Sequence, residues 1–475
     1  MSSSGKENDT IGDKMDGISY DEAIEKINID NPKKKIYILI SLIGTLGGFV
    51  WGYDAGIIGT TLIFVTPYFH LTTIEKAILV SGTIGFAAIA ALIAGPIVDR
   101  MGRKFLLVID GLIYSVFAIL AALSFNAIFL IVTRVAIGFA IGADGAVATA
   151  YISELSPMKA RGRLTIVQQL MIFAGFTTAF WSGYYLSFTA DWRLMYALGA
   201  VPALILFALR IYLPESPRWL IIHNRTEDAK KAFRKLGIAI KENIIVPVEE
   251  STSIRKVIKD PVVKRALLIM LVIAFLNNAT GINVILYYAP TIYKTIGLTG
   301  SAAILKTAIS ESLSVVAYGG SFFLIDKLGR RSLSLLGYIG MAVSMLVMLL
   351  GIHTLLSGNT YSAAIEIFIA MTLFLGFYHL GVGGVFWVLQ GETMPTEIRG
   401  KGAGYLATSA YVGTVFSTFT FPLWSKAIGS FSFFALELIL SVIAVVVVFL
   451  FLPETMKVPL DKVTELFRKK KSDER

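Results

Sequence analysis

Asp54 is the one charged residue between Ile36 and Phe69, in the stretch GGFVWGYDAGIIGTTL (47–62). A carboxylate at the centre of a bilayer-spanning helix costs roughly 2.5–3.5 kcal/mol on insertion scales, which makes it a functional candidate by default. The chemistry it offers is proton binding. Burial disfavours the charged form, a neighbouring cation favours it, and the balance changes as a cavity opens or closes. Arg134, in VTRVAIG near the start of another apolar run, is the candidate cation. Two readings stand: a pair whose proton occupancy follows conformation, and a fixed structural ion pair. Two further carboxylates lie at membrane depth, Asp144 in IGADGAV and Glu311 in AISESLS. Each can bind a hydroxyl-rich or cationic substrate; facing solvent near a cavity mouth is the plainer expectation.

The elements that carry these residues are membrane helices. Of 475 residues 55% are hydrophobic and only 16% charged, with mean hydropathy +0.70; a soluble protein carries about 25% charged residues. The apolar residues cluster in runs long enough to cross a hydrocarbon core of about 30 Å. With no cysteine in the chain, disulfides, thiolate metal sites and thiol catalysis are excluded. No metal-ligand spacing, phosphate loop or Ser/His/Asp set appears, so an enzyme is disfavoured. The net charge of +10 reads as membrane topology rather than nucleic-acid binding, because Lys and Arg gather at helix ends on one side.

Twelve spans are predicted, at 36–66, 76–98, 104–124, 127–152, 163–189, 192–213, 262–293, 302–325, 332–355, 362–392, 400–428 and 430–452. They divide into segments 1–35, 36–213, 214–261, 262–452 and 453–475: two six-helix bundles, a polar linker with short helices, and polar ends. EDAKKAFRKL (227–236) patterns as an amphipathic helix, and SYDEAIEKI (19–27) opens with a capping-box pattern. Residues 1–32 lack the apolar core of a cleavable signal peptide. Arg100, Arg103 and Lys104, then Lys159, Arg161 and Arg163, follow spans two and four. Lys327, Arg330 and Arg331, then Arg399 and Lys401, follow spans eight and ten. The positive-inside rule therefore places both termini and the linker in the cytoplasm.

The halves repeat. DRMGRK (99–104) is answered by DKLGRR (326–331), ELSPMKARGR (154–163) by ETMPTEIRGK (392–401), and LPESPRW (213–219) by LPETMK (452–457). Three motifs in order mark one duplicated six-helix unit, the arrangement by which many transporters place a substrate site between two rocking bundles. With GPIVDRMGRK (95–104), PESPRWL (214–220) and GINVILYYAP (281–290), the chain resembles the sugar porter family of the major facilitator superfamily over nearly its whole length.

That resemblance implies an all-α membrane protein with the major facilitator fold: twelve transmembrane helices in two six-helix bundles with a cytoplasmic helical linker. It implies that Asp54 and Arg134 occupy the proton-coupling positions of the family's symporters; facilitative carriers typically have asparagine in place of Asp54. A sugar is a ring of hydroxyls that donate and accept, so its site needs amides, which do both, and an aromatic face. The resemblance assigns these roles to Gln169, Asn277, Asn278, Asn283, Tyr287, His379 and Trp387. Phe176, Ala410, Ser314 and Gly199 depart from polar residues of the family, and Val382 and Gly384 replace prolines in span ten. A pentose or hexose is thus a firmer expectation than any named sugar. Asp99, Arg100, Arg103, Glu154, Arg161, Glu215 and Arg218, with Asp326, Arg330, Glu392 and Arg399 in the second half, are assigned to a cytoplasmic gate, an ion-pair network across the bundles.

The expected function is import of a monosaccharide by proton symport through alternating access, in the plasma membrane, as a monomer. No cofactor, metal or nucleic acid is implied. The alternatives are a facilitative uniporter, with Asp54 structural, and a proton-coupled carrier of another polyol or organic acid.

Overall fold

Helices here begin where a side chain can accept the free N–H groups of a first turn. Thr72 and Glu75 form a reciprocal capping box at Thr73–Met101, Asp191 caps Trp192–Ile211, Thr299 caps Gly300–Leu328 and Asn359 caps Thr360–Phe377. The computed structural model describes residues 18–19, 34–155, 158–236, 244–245, 259–395, 398–459 and 462–468.

The first six spans are Lys34–Tyr68, Thr73–Met101, Arg103–Ala122, Ala127–Leu155, Met158–Ser187 and Trp192–Ile211. Spans eight, nine, eleven and twelve are Gly300–Leu328, Arg330–Leu356, Arg399–Ala427 and Ser430–Phe451. Two predicted spans are interrupted. Span seven consists of Pro261–Ala279 and Ile282–Thr295, parted where Gly281 adopts φ +94°, a left-handed conformation that glycine takes without steric cost. Span ten runs Thr360–Phe377, a π-helical turn Tyr378–Gly383, and Gly384–Glu392. Hydropathy reads continuously through both, which is why the sequence shows one run in each place.

Ten of these spans are, among the described residues, long and apolar enough to cross a membrane. In span eleven hydroxyl residues recur along the helix and lower its hydropathy. Spans five and eleven are packed against protein, span five on spans one and eight, span eleven on spans two and seven.

The duplicated sequence yields duplicated packing. Span one packs on five and seven on eleven; span two on four and eight on ten. Span three packs on four and six, as nine does on ten and twelve. Between halves, span two meets eleven, span five meets eight, and the later part of seven meets span one. The result is the twelve-helix, two-bundle arrangement.

In the connecting segment, Pro217–Ile222 and Thr226–Lys235 are helical. Ala229, Ala232 and Phe233 turn inward, as the amphipathic pattern predicts. On the outer face, hydrogen bonds from Lys230 to Glu227 and from Arg225 to Asp228 hold both carboxyls below their usual range. Ile18–Ser19 and Ile244–Ile245 pair as a two-residue parallel bridge; residues 20–27 of the expected surface helix lie outside the described residues.

Candidate functional site

Asp54 and Arg134 are 3% and 2% exposed, and Arg134 Nη1 donates to Asp54 Oδ1. What holds span one in place is backbone contact with span five. A Cβ at Gly48 would lie 2.7 Å from the Gln168 carbonyl oxygen, one at Gly52 would overlap the Ile172 carbonyl oxygen, and one at Gly56 would lie 2.8 Å from the Ala179 Cβ. The four-residue glycine spacing is therefore a packing ridge. Tyr114 of span three stands within electrostatic reach of both charges and donates to the Val50 carbonyl oxygen at 3.2 Å. Asp54 Oδ2 and Arg134 Nε have no hydrogen-bond partner among the described residues.

A second polar cluster forms where spans seven and ten are interrupted. The break at Gly281 sets Asn277 and Asn278 at the end of one helix and Asn283 at the start of the next. Asn283 Nδ2 donates to Asn278 Oδ1 at 3.0 Å and to Thr414 Oγ1 of span eleven at 3.1 Å. Asn277 Nδ2 donates to Tyr378 Oη at 3.4 Å. His379, next along the π-helical turn, is 1% exposed; its Nδ1 lies 2.7 Å from the Leu375 carbonyl oxygen. Phe173 of span five reaches across the halves, its ring centroid 4.6 Å from that of His379 and 4.5 Å from that of Tyr318.

The structure thus brings together Asn277, Asn278, Asn283 and His379. Gln169 is half-buried one turn before Phe173 on the same face of span five. Tyr287, buried, follows Asn283 by one turn. Trp387 is half-buried and packs against the main hydrophobic core, its ring 5.4 Å from that of Phe386. Among the departures, Phe176 and Ala410 are buried, and Ser314 donates to the Glu311 carbonyl oxygen at 2.8 Å. A Cβ at Gly199 would lie 3.0 Å from the Tyr53 ring, which packs directly on the glycine.

Asp144 pairs with Arg210 of span six and keeps 14% side-chain exposure beside a small cavity. One expectation needs correction. Glu311 is 1% exposed, and neither carboxylate oxygen has a partner among the described residues. Sequence reading also passed over Phe173, Tyr318, Tyr378 and the buried charges Asp110 and Arg210. The last two, in LLVIDGLIY and LFALRIYL, carry the same signal as Asp54, a lone charge in an apolar run.

At the charged ends of the spans, two equivalent clusters form. Arg103 Nη2 lies 3.0 Å from Glu154 Oε1 and its Nη1 3.6 Å from Asp99; Arg330 lies 3.1 Å from Glu392 and 3.3 Å from Asp326. Ser216 donates to Glu154, and Thr455 to Glu392 at 2.8 Å. Glu215 accepts from the backbone N–H groups of Arg103 and Lys104, and Glu454 from those of Arg330 and Arg331. Each glutamate therefore caps a helix start, where a negative charge is favoured. Gly102 (φ +96°) and Gly329 (φ +84°) leave the space the two carboxylates occupy. Each of these pairs, among the described residues, joins spans of one half. Arg100 is exposed and Arg218 half-buried; the side chains of Arg161 and Arg399 lie outside the described residues.

The halves also touch toward the opposite end of the spans. Lys294 Nζ reaches the Ile63 carbonyl oxygen at 3.4 Å, and Trp181 Nε1 donates to Ser312 Oγ at 3.1 Å.

Comparison with known proteins accounts for this architecture. Residues 40–467 match the family described as Sugar (and other) transporter. The chain belongs to that family. It is 32% identical over 433 residues to the glucose transporter GlcP of Staphylococcus epidermidis, covering 90% of this chain and 96% of that one. Its fold superposes on the inward-open conformation of the xylose transporter XylE from E. coli with a TM-score of 0.75 at 24% identity, covering 91% of this chain and all of the other. A crystal structure of a D-xylose–proton symporter matches with a TM-score of 0.72 at 24% identity, covering 88% and 98%. The sugar porter resemblance read from the motifs is thereby established. As a member of the Sugar (and other) transporter family, the protein is a multi-pass membrane transporter of the major facilitator superfamily and not an enzyme.

Proposed function

We propose that this transporter imports a monosaccharide, a pentose or hexose, by proton symport through alternating access. The observation that carries the reading is the buried Asp54–Arg134 pair. A carboxylate out of water with one cation partner is stable either ionised and paired or protonated and released, and a change of cavity exposure selects between the two. The D-xylose–proton symporter that shares the fold supports the same assignment. The amides of Asn277, Asn278, Asn283 and Gln169, with Tyr287, His379 and Trp387, are assigned to the sugar, and the two charged-end clusters to the cytoplasmic gate between the bundles. By the positive-inside rule the charged end, both termini and the segment 214–261 are cytoplasmic, in the plasma membrane. The contacts at the opposite end then correspond to a state closed to the outside. Segments 36–213 and 262–452 act as the two rocking units of a functional monomer.

A second reading keeps the coupling and changes the cargo. Phe176 and Ala410 give the pocket fewer amides than a ring of hydroxyls uses, which suits a polyol or organic acid. A substrate-competition panel in proteoliposomes, run with and without a proton gradient, tests both. Accumulation of D-glucose or D-xylose only when the gradient is present is the expected result. Equilibration without accumulation means uniport. Accumulation of polyols or organic acids alone makes the second reading correct.

A further inference from the structure

Seven residues before Asp54, Gly47 faces a second set of buried charges. Arg210, 1% exposed, donates through Nη1 to Asp110 Oδ1 at 2.6 Å and to the Leu107 carbonyl oxygen at 3.0 Å, and through Nη2 to Asp144. Asp110 is 4% exposed, and its Oδ2 has no partner among the described residues. Two carboxylates thus share one guanidinium. With both ionised the cluster holds an uncompensated negative charge out of water; one proton removes it.

The surroundings connect this cluster to Asp54. It borders a cavity of about 20 Å³, whose walls include Val50, Trp51 and Tyr114; a space of that size takes one water. Tyr114 lies one turn from Asp110 on the same face of span three, and its other neighbours are Asp54, Arg134 and Tyr53. Of the described titratable side chains outside the cluster, Tyr114 alone lines that cavity; Asp54 and Tyr53 of span one, Arg134 of span four and, beside Arg134, Tyr196 of span six lie beyond it. A Cβ at Gly47 would overlap Asp144 Oδ2 and lie 2.7 Å from Arg210 Nη2, so the cluster packs directly against the span-one backbone at position 47. Along span one the two charge sets are about 10 Å apart, the cluster nearer the charged end.

We propose that Asp110, Asp144 and Arg210 form a second proton-holding site, the station between Asp54 and the charged face of the first half. Its transport role rests on the proton-symport reading; its charge count does not. When the O–H bond of protonated Asp54 breaks, the carboxylate regains Arg134 as its partner. The proton passes by the Tyr114 hydroxyl and the cavity and forms a new O–H bond on Asp110 or Asp144. It leaves from Asp144, whose side chain is 14% exposed.

The test is acid–base infrared difference spectroscopy of the full chain in liposomes, which reads protonated carboxyls directly and needs no sugar. Wild type is expected to show protonated-carboxyl absorption at neutral pH, one component of which is lost in Asp110→Asn and equally in Asp144→Asn, since one carboxylate then matches one guanidinium. The contribution of Glu311 and Glu437, buried and without a partner among the described residues, persists in both. Asp54→Asn should keep the lost component. If Asp110→Asn does not fold, Asp144→Asn alone carries the comparison. Retention of that component, with no loss in the difference spectrum between wild type and the folded variants, overturns the site. Proton-driven uptake of D-glucose or D-xylose by Asp110→Asn should fall by about ten-fold or more, as expected when a positioned proton carrier is lost; undiminished uptake overturns the relay. Accumulation by Asp54→Asn refutes coupling through Asp54 while leaving the band, and hence the site, in place.

Discussion

Removing the Phe173 ring should open the protein at the end opposite the charged clusters. Phe173 belongs to span five, and its two ring contacts, at 4.5 Å to Tyr318 and 4.6 Å to His379, both lie across the boundary between the halves. Rocking one half against the other breaks both. An aromatic pair contributes about 0.5–1.5 kcal/mol beyond its area, so Phe173→Ala removes about 1–3 kcal/mol from the closed state. That corresponds to roughly a 5–150-fold change in the ratio of the two conformations. The chain has no cysteine, so a single reporter is clean. Ile63→Cys is suitable, because Ile63 is 4% exposed and stands against Gly300 of the opposite half. With a membrane-impermeant maleimide, labelling of the reporter should accelerate by that same factor in the Phe173→Ala background. An unchanged or slower rate would refute the claim that this ring holds the halves together.

Gly329→Ala should lower the melting temperature and the yield of folded protein. Its Cβ would meet the Glu454 carboxylate at a φ of +84°, and a strained backbone of this kind costs on the order of 1–3 kcal/mol; a thermal melt equal to wild type contradicts it. Gln169→Ala and Trp387→Ala should each weaken sugar binding about ten-fold, the effect of losing 1–2 kcal/mol of hydrogen bonding or stacking. Titration calorimetry checks this, and equal affinity in both variants moves the pocket elsewhere. Gly52→Ala should disrupt the seating of span one on span five, read as loss of the monodisperse peak in detergent, whereas Gly95→Ala, whose Cβ meets nothing within 4 Å, should not.

Much of this was legible in the chain because membrane physics writes it plainly. Span lengths follow from bilayer thickness, and the repeated DRMGRK and DKLGRR motifs already imply the paired clusters at Arg103 and Arg330. The interruptions at Gly281 and at Tyr378–Gly383 were not legible, since hydropathy is blind to a left-handed glycine or one extra residue in a turn. The specific pairing of Glu154 with Arg103 and of Glu392 with Arg330, each from a neighbouring span, was not legible either, because the sequence does not say which spans pack together. Glu454 in LPETMK was visible only as a repeat of Glu215. Its capping role appears once the start of span nine is seen to rest on it. Phe173 carried no polar signal at all, and an aromatic side chain in an apolar run is indistinguishable from ordinary packing until its neighbours are known.

The central claim is that the Asp54–Arg134 pair couples a proton to conformation, and Asp54→Asn tests it most directly. The substitution keeps the shape of the side chain and mimics a permanently protonated carboxyl, so Arg134 loses its titratable partner. Counterflow and proton-driven uptake are measured on the same proteoliposomes. The account predicts that Asp54→Asn still exchanges sugar across the membrane but does not accumulate it when a proton gradient is applied. Accumulation by the variant under a proton gradient alone would contradict it.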